Sequence, residues 1–386
     1  MAKRYLDGTR ALGEVHDDVG GPTVRERISI LLIALLAAAT LGWSPPPAHP
    51  VGTPPPPVRC SGSPAKVHRL DLTVAGERTY GLYAVPRGAP KGLVVFFHGY
   101  THTPYSWTEH LTQTARRNRV IAVAMNYRGN INIPASEPGA RPTARGWQVA
   151  EGAVDSIKAA KLFDSWCGTP TVVAYSISMG SNAGGLAIAA KPTHRNGDPL
   201  FDYWFNVEGA TNVTETYHEA RMVARSGNTF AVNAVEDIER EMGGTFEERR
   251  EVYLQRTVVN RAEDVAAAGL RGTIMIHGLD DGLVPYNQTR EMAERLRSLG
   301  RFTDVYTVLT RGEDSEAGTT ATGYAPTGQQ SPLAGHASEA SSTHIINETG
   351  FDLLAQVLRG AEIGCREFLV DGTLGTTLVE DAPSPC

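Results

Sequence analysis

Six short apolar runs alternate with helix-like segments along most of the chain, and this alternation limits the fold more than any other feature. The clearest run, GLVVFF, is continuously apolar, as expected for a strand that is covered on both faces. Strands that alternate with helices build parallel sheets, because each helical crossover returns the chain in the same direction. The six runs are 92–97, 120–126, 170–176, 203–209, 273–278 and 304–310. The sequence therefore predicts an α/β protein with a mostly parallel, doubly covered sheet, preceded by an antiparallel strand pair at 67–75 and 78–86.

The first 43 residues differ from the rest of the chain. Residues 28–42 form an apolar run of 15 that follows Arg25 and Arg27. This length suits the apolar core of a signal peptide better than a membrane-spanning helix, which needs about 20 apolar residues. Two interpretations stay open: residues 1–43 are a cleaved signal peptide, or they are an uncleaved anchor that attaches the protein to a membrane. Both predict a secreted or cell-envelope protein.

A proline-rich segment, 44–60, follows the leader and predicts an extended linker before a single folded domain at 61–386. Two segments of that domain depart from the alternating pattern. The stretch 211–269 is charged and helical by its periodicity, which indicates either a lid-like insertion or an elaborated crossover. The stretch 312–335 is a long polar loop without an apolar period, and such loops are usually functional or disordered.

Charge and cysteine usage narrow the partners and the compartment. The chain has 36 Lys and Arg against 42 Asp and Glu, for a net charge of −6, and it lacks basic blocks. A protein of this charge is a poor ligand for phosphate backbones, so we expect no nucleic-acid partner.

Four cysteines without C-x-x-C spacing predict two disulfides in an exported chain. Of the three possible connectivities, proximity in sequence favours Cys365–Cys386, which leaves Cys60–Cys167.

The sharpest local signal is the segment 175–180, which lies between an apolar strand and a helix of small residues. With Ser178 at its centre, the segment approaches the G-x-S-x-G pattern of a nucleophile elbow, a tight turn that exposes a strained serine. Gly180 supplies the small residue on the downstream side. Ser176 stands where the pattern has glycine, which is a small departure. Ser178 is therefore the candidate nucleophile.

A serine hydroxyl needs a base to remove its proton and a carboxylate to orient that base. In α/β-hydrolases these residues follow one another in the order Ser, acid, His. The loop after the 273–278 strand offers Asp281 as the acid, with the adjacent Asp280 as the alternative. His336, at the end of the long polar loop, is favoured as the base over His344, which abuts the final helix.

The end of the 92–97 strand supplies a candidate oxyanion hole. The backbone N–H of Tyr100 lies where this fold places one donor, and Met179, the residue after the nucleophile, supplies the other. His98 and His102 have the spacing of a metal pair on a helix, but a His-Gly pair after a strand is not helical, and no third ligand completes a zinc set. We therefore expect neither a metal nor another cofactor.

Together these residues resemble α/β-hydrolases of the prolyl oligopeptidase and dipeptidyl-peptidase type over roughly residues 66–360. Four blocks carry the resemblance: 126–129 (NYRG), the elbow around Ser178, the stretches 243–253 and 276–285 before and around the acid, and 335–344 around the base. In dipeptidyl peptidases the first histidine of the last block is catalytic, which supports His336. The propeller domain of that family is not expected, because fewer than 50 residues separate the linker from the first covered strand.

The resulting expectation is an exported serine hydrolase that cleaves a small-molecule ester, or an amide, through an acyl-enzyme intermediate. Two alternatives stay open because fold does not determine substrate. One is an exopeptidase or small-peptide hydrolase, although the acidic amine-binding pair that the propeller supplies in dipeptidyl peptidases would be missing. The other is an inactive hydrolase scaffold that serves as a surface binding module.

Overall fold

The computed structural model describes residues 58–309, 335–342, 344–371, 375–381 and 386. The predicted leader at 1–43, most of the linker at 44–60 and nearly all of the polar loop at 312–335 lie outside these residues. In the described ranges, no helix combines the length and the apolar character that crossing a membrane requires.

The described residues form twelve strands and nine α-helices. The strands are β1 His68–Val74, β2 Glu77–Ala84, β3 Leu93–Phe97, β4 Ile121–Met125, β5 Ile131–Ile133, β6 Thr143–Arg145, β7 Val172–Ile177, β8 Tyr203–Val207, β9 Gly272–Gly278, β10 Thr303–Val308, β11 Arg366–Asp371 and β12 Gly375–Asp381. The helices are α1 Thr108–Asn118, α2 Val149–Cys167, α3 Met179–Ala189, α4 Val213–Ala224, α5 Thr229–Met242, α6 Phe246–Arg256, α7 Ala262–Ala266, α8 Tyr286–Ser298 and α9 Ile345–Leu358.

Ten strands build one sheet in the order β1-β2-β4-β3-β7-β8-β9-β10-β11-β12, and β5 pairs with β6 separately. The six predicted apolar runs became β4, β3, β7, β8, β9 and β10, which are neighbours in the sheet and run parallel. The predicted pair β1–β2 is antiparallel. In the sheet, β4 lies on one side of β3 and β7 lies on the other. After β3 the chain therefore adds β4 toward one edge of the sheet and then adds β7 to β10 toward the opposite edge.

Both faces of the sheet are covered, which explains why the apolar runs are continuous. Along β3, Leu93, Val95 and Phe97 belong to the core on one face, which also includes side chains of α2 and α3. Val94 and Phe96 belong to the core on the other face, together with side chains of α1 and α9. Each of these five residues is fully buried. The predicted α/β class with a doubly covered parallel sheet is therefore confirmed.

The C-terminal part of the chain contains two strands that the sequence analysis did not predict. A hairpin of β11 and β12 follows α9, and β11 joins the sheet parallel to β10. The two predicted disulfides, Cys60–Cys167 and Cys365–Cys386, are present. The second one links the last residue of the chain to the residue before β11.

The segment between β8 and β9 is mainly helical, and polar side chains mark where its helices begin. Asn212 caps α4 by accepting the backbone N–H of Glu215, and Asn228 caps α5 in the same way. Thr245 and Glu248 form a reciprocal capping box at the start of α6. Such caps satisfy N–H groups that have no partner inside the helix, so short polar residues determine where these helices start.

Candidate active site

Ser178 occupies the sharp turn between β7 and α3. Its backbone has a positive φ, with φ 54° and ψ −129°, a region that non-glycine residues rarely adopt. The turn is held by the N–H of Ser178, which donates to the carbonyl of Val207 at 2.9 Å. A side chain at Gly180 would overlap the carbonyl oxygen of Phe97, so only glycine lets α3 approach the end of β3 this closely.

Ser176, which departs from the elbow pattern, serves the sheet. Its hydroxyl donates to the carbonyl of Phe205 at 2.7 Å and accepts the indole N–H of Trp204 at 2.9 Å. Both partners belong to β8, and the hydroxyl is fully buried. Gly184 of α3 lies opposite Ser176. A side chain at position 184 would crowd this serine, since its Cβ would lie 3.1 Å from the Ser176 Cβ.

Asp281 follows β9 and accepts three N–H groups, while a second histidine, His277, lies close by. Its Oδ1 accepts the backbone N–H of Leu283 at 2.8 Å and of Val284 at 2.9 Å. Its Oδ2 lies 2.7 Å from Nδ1 of His336 and 3.2 Å from Nε2 of His277. Burial raises the pKa of Asp281, but the two histidines outweigh burial and hold this pKa well below its usual range. Asp281 is therefore built to stay ionised.

His336 presents Nδ1 to Asp281, so in the neutral form of the imidazole Nδ1 carries the proton and Nε2 has the lone pair. Burial lowers the pKa of His336, but the carboxylates of Asp281 and Glu208 outweigh it and raise this pKa above the ordinary value. Over the described residues, no hydrogen bond joins His336 to Ser178. Such contacts between base and nucleophile often tighten only when substrate binds.

The two alternatives that the sequence left open occupy other places. Asp280 is exposed, whereas its neighbour Asp281 is buried. His344 is the N-cap of α9, and its Nδ1 accepts the backbone N–H of Ile346 at 3.3 Å. The geometry therefore brings together Asp281 and His336 and leaves Asp280 and His344 in structural or surface positions.

Glu208, directly after β8, is a site residue that the sequence analysis missed. Its Oε2 accepts the backbone N–H of Ala337 at 2.8 Å and lies 3.7 Å from Nδ1 of His336. Its Oε1 is buried without a hydrogen-bond partner among the described residues. Burial raises the pKa of Glu208 well above its ordinary value, and the nearby His336 offsets this only in part. The sequence contained a signal for this residue, because Glu208 is a carboxylate at the end of a predicted apolar strand. That strand, β8, pairs with β7, which leads to Ser178.

Three of these groups, Glu208, Asp281 and His336, place possible metal ligands within 4.8 Å of one another. The Asp281 oxygens already accept three N–H groups, and Nδ1 of His336 is one of those donors. A metal would have to displace these hydrogen bonds. The hydrogen-bonded arrangement suits proton transfer by an oriented imidazole.

The candidate oxyanion donors lie on two sides of Ser178. Met179 begins α3, and the loop carrying Tyr100 is close enough that a Cβ on Gly99 would lie 3.2 Å from the Ser178 Cβ. Neither the Tyr100 nor the Met179 N–H donates to a protein acceptor in the part of the chain that the structure describes. The N–H of Gly99, in contrast, donates to the buried carboxylate of Glu339 at 2.8 Å. The two free N–H groups are available to a developing oxyanion.

A cavity of about 300 Å³ opens beside Ser178. Its walls come from Tyr100 and Trp147, from α4 and α5, and from residues 282–285 after the acid. Asp237 of α5 accepts the hydroxyl of Tyr100 at 2.7 Å and Nε of Arg145 at 2.8 Å. These two hydrogen bonds hold α5 against the loop that carries Tyr100.

Comparison with known proteins finds matches among solved structures. No protein-family model matches the sequence, and no curated protein is significantly similar to it. Puromycin hydrolase is similar in fold, with 13% identity and a TM-score of 0.51 over 82% of this chain and 41% of that chain. Acylaminoacyl peptidase from Pyrococcus horikoshii has 14% identity and a TM-score of 0.45 over 68% and 39%. Esterase 2 from Thermogutta terrifontis has 13% identity and a TM-score of 0.48 over 76% and 94%.

At these identities the similarity concerns the fold. The chain spans about two fifths of the length of puromycin hydrolase and acylaminoacyl peptidase. The sheet order, the strand-to-helix turn at Ser178 and the match to puromycin hydrolase agree with one another. The protein has the α/β-hydrolase fold, as the sequence predicted.

Proposed function

We propose that this chain is an exported serine hydrolase that cleaves carboxylic esters through an acyl-enzyme intermediate. One observation carries the proposal: the buried, hydrogen-bonded pair of Asp281 and His336 accompanies Ser178 in a strained turn at the wall of a cavity. An ionised acid, an oriented imidazole and a serine that lines the cavity are the parts that acyl transfer needs.

In the proposed reaction, Ser178 Oγ attacks the carbonyl carbon while its proton passes to Nε2 of His336. The N–H groups of Tyr100 and Met179 stabilise the tetrahedral oxyanion. The bond to the alcohol oxygen then breaks, and His336 returns the proton to that oxygen. Water attacks the acyl-enzyme by the same route and releases the carboxylic acid and Ser178. Asp281 keeps the imidazole in the required tautomer throughout.

An amide or short-peptide substrate is the second candidate. The same residues can cleave either bond, and the fold is shared with puromycin hydrolase. The rate constants kcat/KM for matched aryl esters and aminoacyl arylamides decide between the two. Comparable values for the two bond types would favour the peptidase.

The export part of the proposal rests on two observations. Two disulfides are typical of proteins that fold in oxidising compartments. The apolar run at 28–42 has the length of a signal-peptide core.

The proposal also includes a lid. The sequence suggested a lid-like insertion at 211–269, and the helices α4 and α5 of this segment line the cavity.

The first test is labelling of the full chain with a fluorophosphonate probe, followed by peptide mapping. We expect covalent mass on Ser178, because only an activated serine reacts with such a probe. Labelling and the release of p-nitrophenol from short acyl esters should both disappear in Ser178→Ala. A folded wild-type protein that neither reacts nor cleaves these esters would refute the hydrolase and favour the binding module.

A further inference from the structure

Glu219 lies on the face of α4 that lines the cavity beside Ser178. Thr216, Ala220 and Val223 share this face, since residues three and four apart on a helix are neighbours. Glu219 is half-buried and is the only carboxylate among the described residues that line the cavity. Within the described ranges, no lysine or arginine lines the cavity either. The charge of the cavity therefore depends on Glu219.

Glu219 has no hydrogen bond or ion pair within the described ranges, whereas the charged residues around it are engaged. Glu215, one turn earlier, accepts Nδ2 of Asn287 at 2.8 Å. Arg221, on the same helix, pairs with Glu247 at 3.0 Å. Burial, followed by the negative charge of Glu215, raises the pKa of Glu219 to about 7. A carboxylate without a partner in such a place gains from a cation that enters the cavity.

Aromatic side chains supply a second feature that suits a cation. Tyr100, Trp147 and Phe230 all line the cavity. The ring of Tyr100 lies 5.6 Å from Trp147 and 5.3 Å from Phe230, centroid to centroid. Aromatic rings attract ammonium groups, and a cluster of rings is the usual surround for a quaternary ammonium. A carboxylate and an aromatic cluster therefore occupy the same cavity as the candidate nucleophile.

We infer that this cavity binds a positively charged ammonium group of the substrate through Glu219 and the aromatic cluster. The substrate class is then an ester whose acyl group carries an ammonium. This inference rests on the proposed function, because it names what Ser178 would cleave.

The test compares two esters that differ only in charge. The cationic ester is 4-nitrophenyl 4-(trimethylammonio)butyrate, and the neutral one is 4-nitrophenyl 5,5-dimethylhexanoate, in which carbon replaces nitrogen. The full-length wild type should have a kcat/KM about tenfold higher for the cationic ester, chiefly through KM. Raising the ionic strength should reduce this preference, since salt screens charge attraction.

Two glutamine variants separate recognition from structure. Glu219→Gln should lower the ratio of kcat/KM for the cationic ester to kcat/KM for the neutral ester from about tenfold to near unity. Glu215→Gln, one turn away and outside the cavity, is the matched control and should keep the preference. A wild type without preference, or a Glu219→Gln variant that lowers both rates equally, overturns the inference.

The same assay distinguishes this inference from the proposed function. If Ser178 is labelled by fluorophosphonate and the neutral ester is cleaved without any cationic preference, the hydrolase stands and only the ammonium site is wrong. If neither ester is cleaved and Ser178 is not labelled, the proposed hydrolase and the ammonium site are both refuted.

Discussion

The loops that follow the neighbouring strands β8 and β9 each bring a buried carboxylate to His336, but the two are not equivalent. Asp281, after β9, accepts three N–H groups and lies 3.2 Å from Nε2 of His277. Glu208, after β8, accepts the N–H of Ala337, and its second oxygen has no partner in the described structure. The pKa of Asp281 is held low, whereas burial raises that of Glu208.

Both carboxyls lie next to His336, but for Asp281 the charge of His336 together with the histidine hydrogen bonds outweighs burial and lowers the pKa, whereas for Glu208 burial dominates and raises it. N–H donors stabilise the ionised form, and burial without donors favours the neutral form. The β9 loop therefore provides the charge that orients the base. The β8 loop provides a carboxyl with a raised pKa, and this carboxyl anchors the backbone next to His336.

The largest expected effect comes from removing the charge after β9. Asp281→Asn should lower kcat by about ten-thousandfold, because the imidazole loses the partner that holds its tautomer. Ester hydrolysis measures the effect, and circular dichroism checks that the variant is folded. The exposed neighbour supplies the control, since Asp280→Asn should stay within about twofold of wild type. Equal losses in the two variants would contradict the assignment of Asp281.

The pH dependence should follow the charge on His336. The carboxylates next to this residue outweigh burial and raise its pKa, so kcat/KM should rise with pH, with a midpoint above about 6.5. Only the neutral imidazole can accept the serine proton, which sets the direction of the change. A profile measured with the neutral ester tests this, and a midpoint well below 6.5 would show that Asp281 does not govern the base.

Glu208 should tolerate a neutral replacement. Glu208→Gln keeps an oxygen for the N–H of Ala337, so kcat/KM at pH 7 should stay within about threefold of wild type. Glu208→Ala removes that acceptor and should lower the free energy of unfolding by about 1–3 kcal/mol. Denaturant titration measures the second effect. A large loss of activity in Glu208→Gln would mean that Glu208 is charged and acts with Asp281.

The smallest effect on activity is expected at Ser176, whose partners belong to β8. Ser176→Ala leaves the indole N–H of Trp204 and the carbonyl of Phe205 unpaired, which should cost about 1–3 kcal/mol of unfolding free energy. Fluorophosphonate labelling of Ser178 should persist. Ser181→Ala is the matched control, since the Ser181 hydroxyl is buried without a partner among the described residues. Loss of labelling in Ser176→Ala would place Ser176 in the chemistry.

Sequence patterns predicted the central part of the fold well. The six covered strands lie within about two residues of their predicted bounds, because a strand buried on both faces must be continuously apolar. The edge hairpin β11–β12 was missed, since its side chains in β11 are mostly half-buried and form no such run. Helix α9 begins at Ile345, because His344 caps it.

By itself, the sequence determined the fold class, the order of the strands along the chain and the order in which Ser178, Asp281 and His336 occur. Local pattern suffices for these, since period, turn residues and spacing are properties of neighbouring residues. Only the tertiary structure decided that Glu208 contacts the His336 loop across 129 residues and that Glu219 shares a cavity with Ser178. Burial and hydrogen-bond donors set the charge of a carboxyl, and both come from residues that only folding brings together.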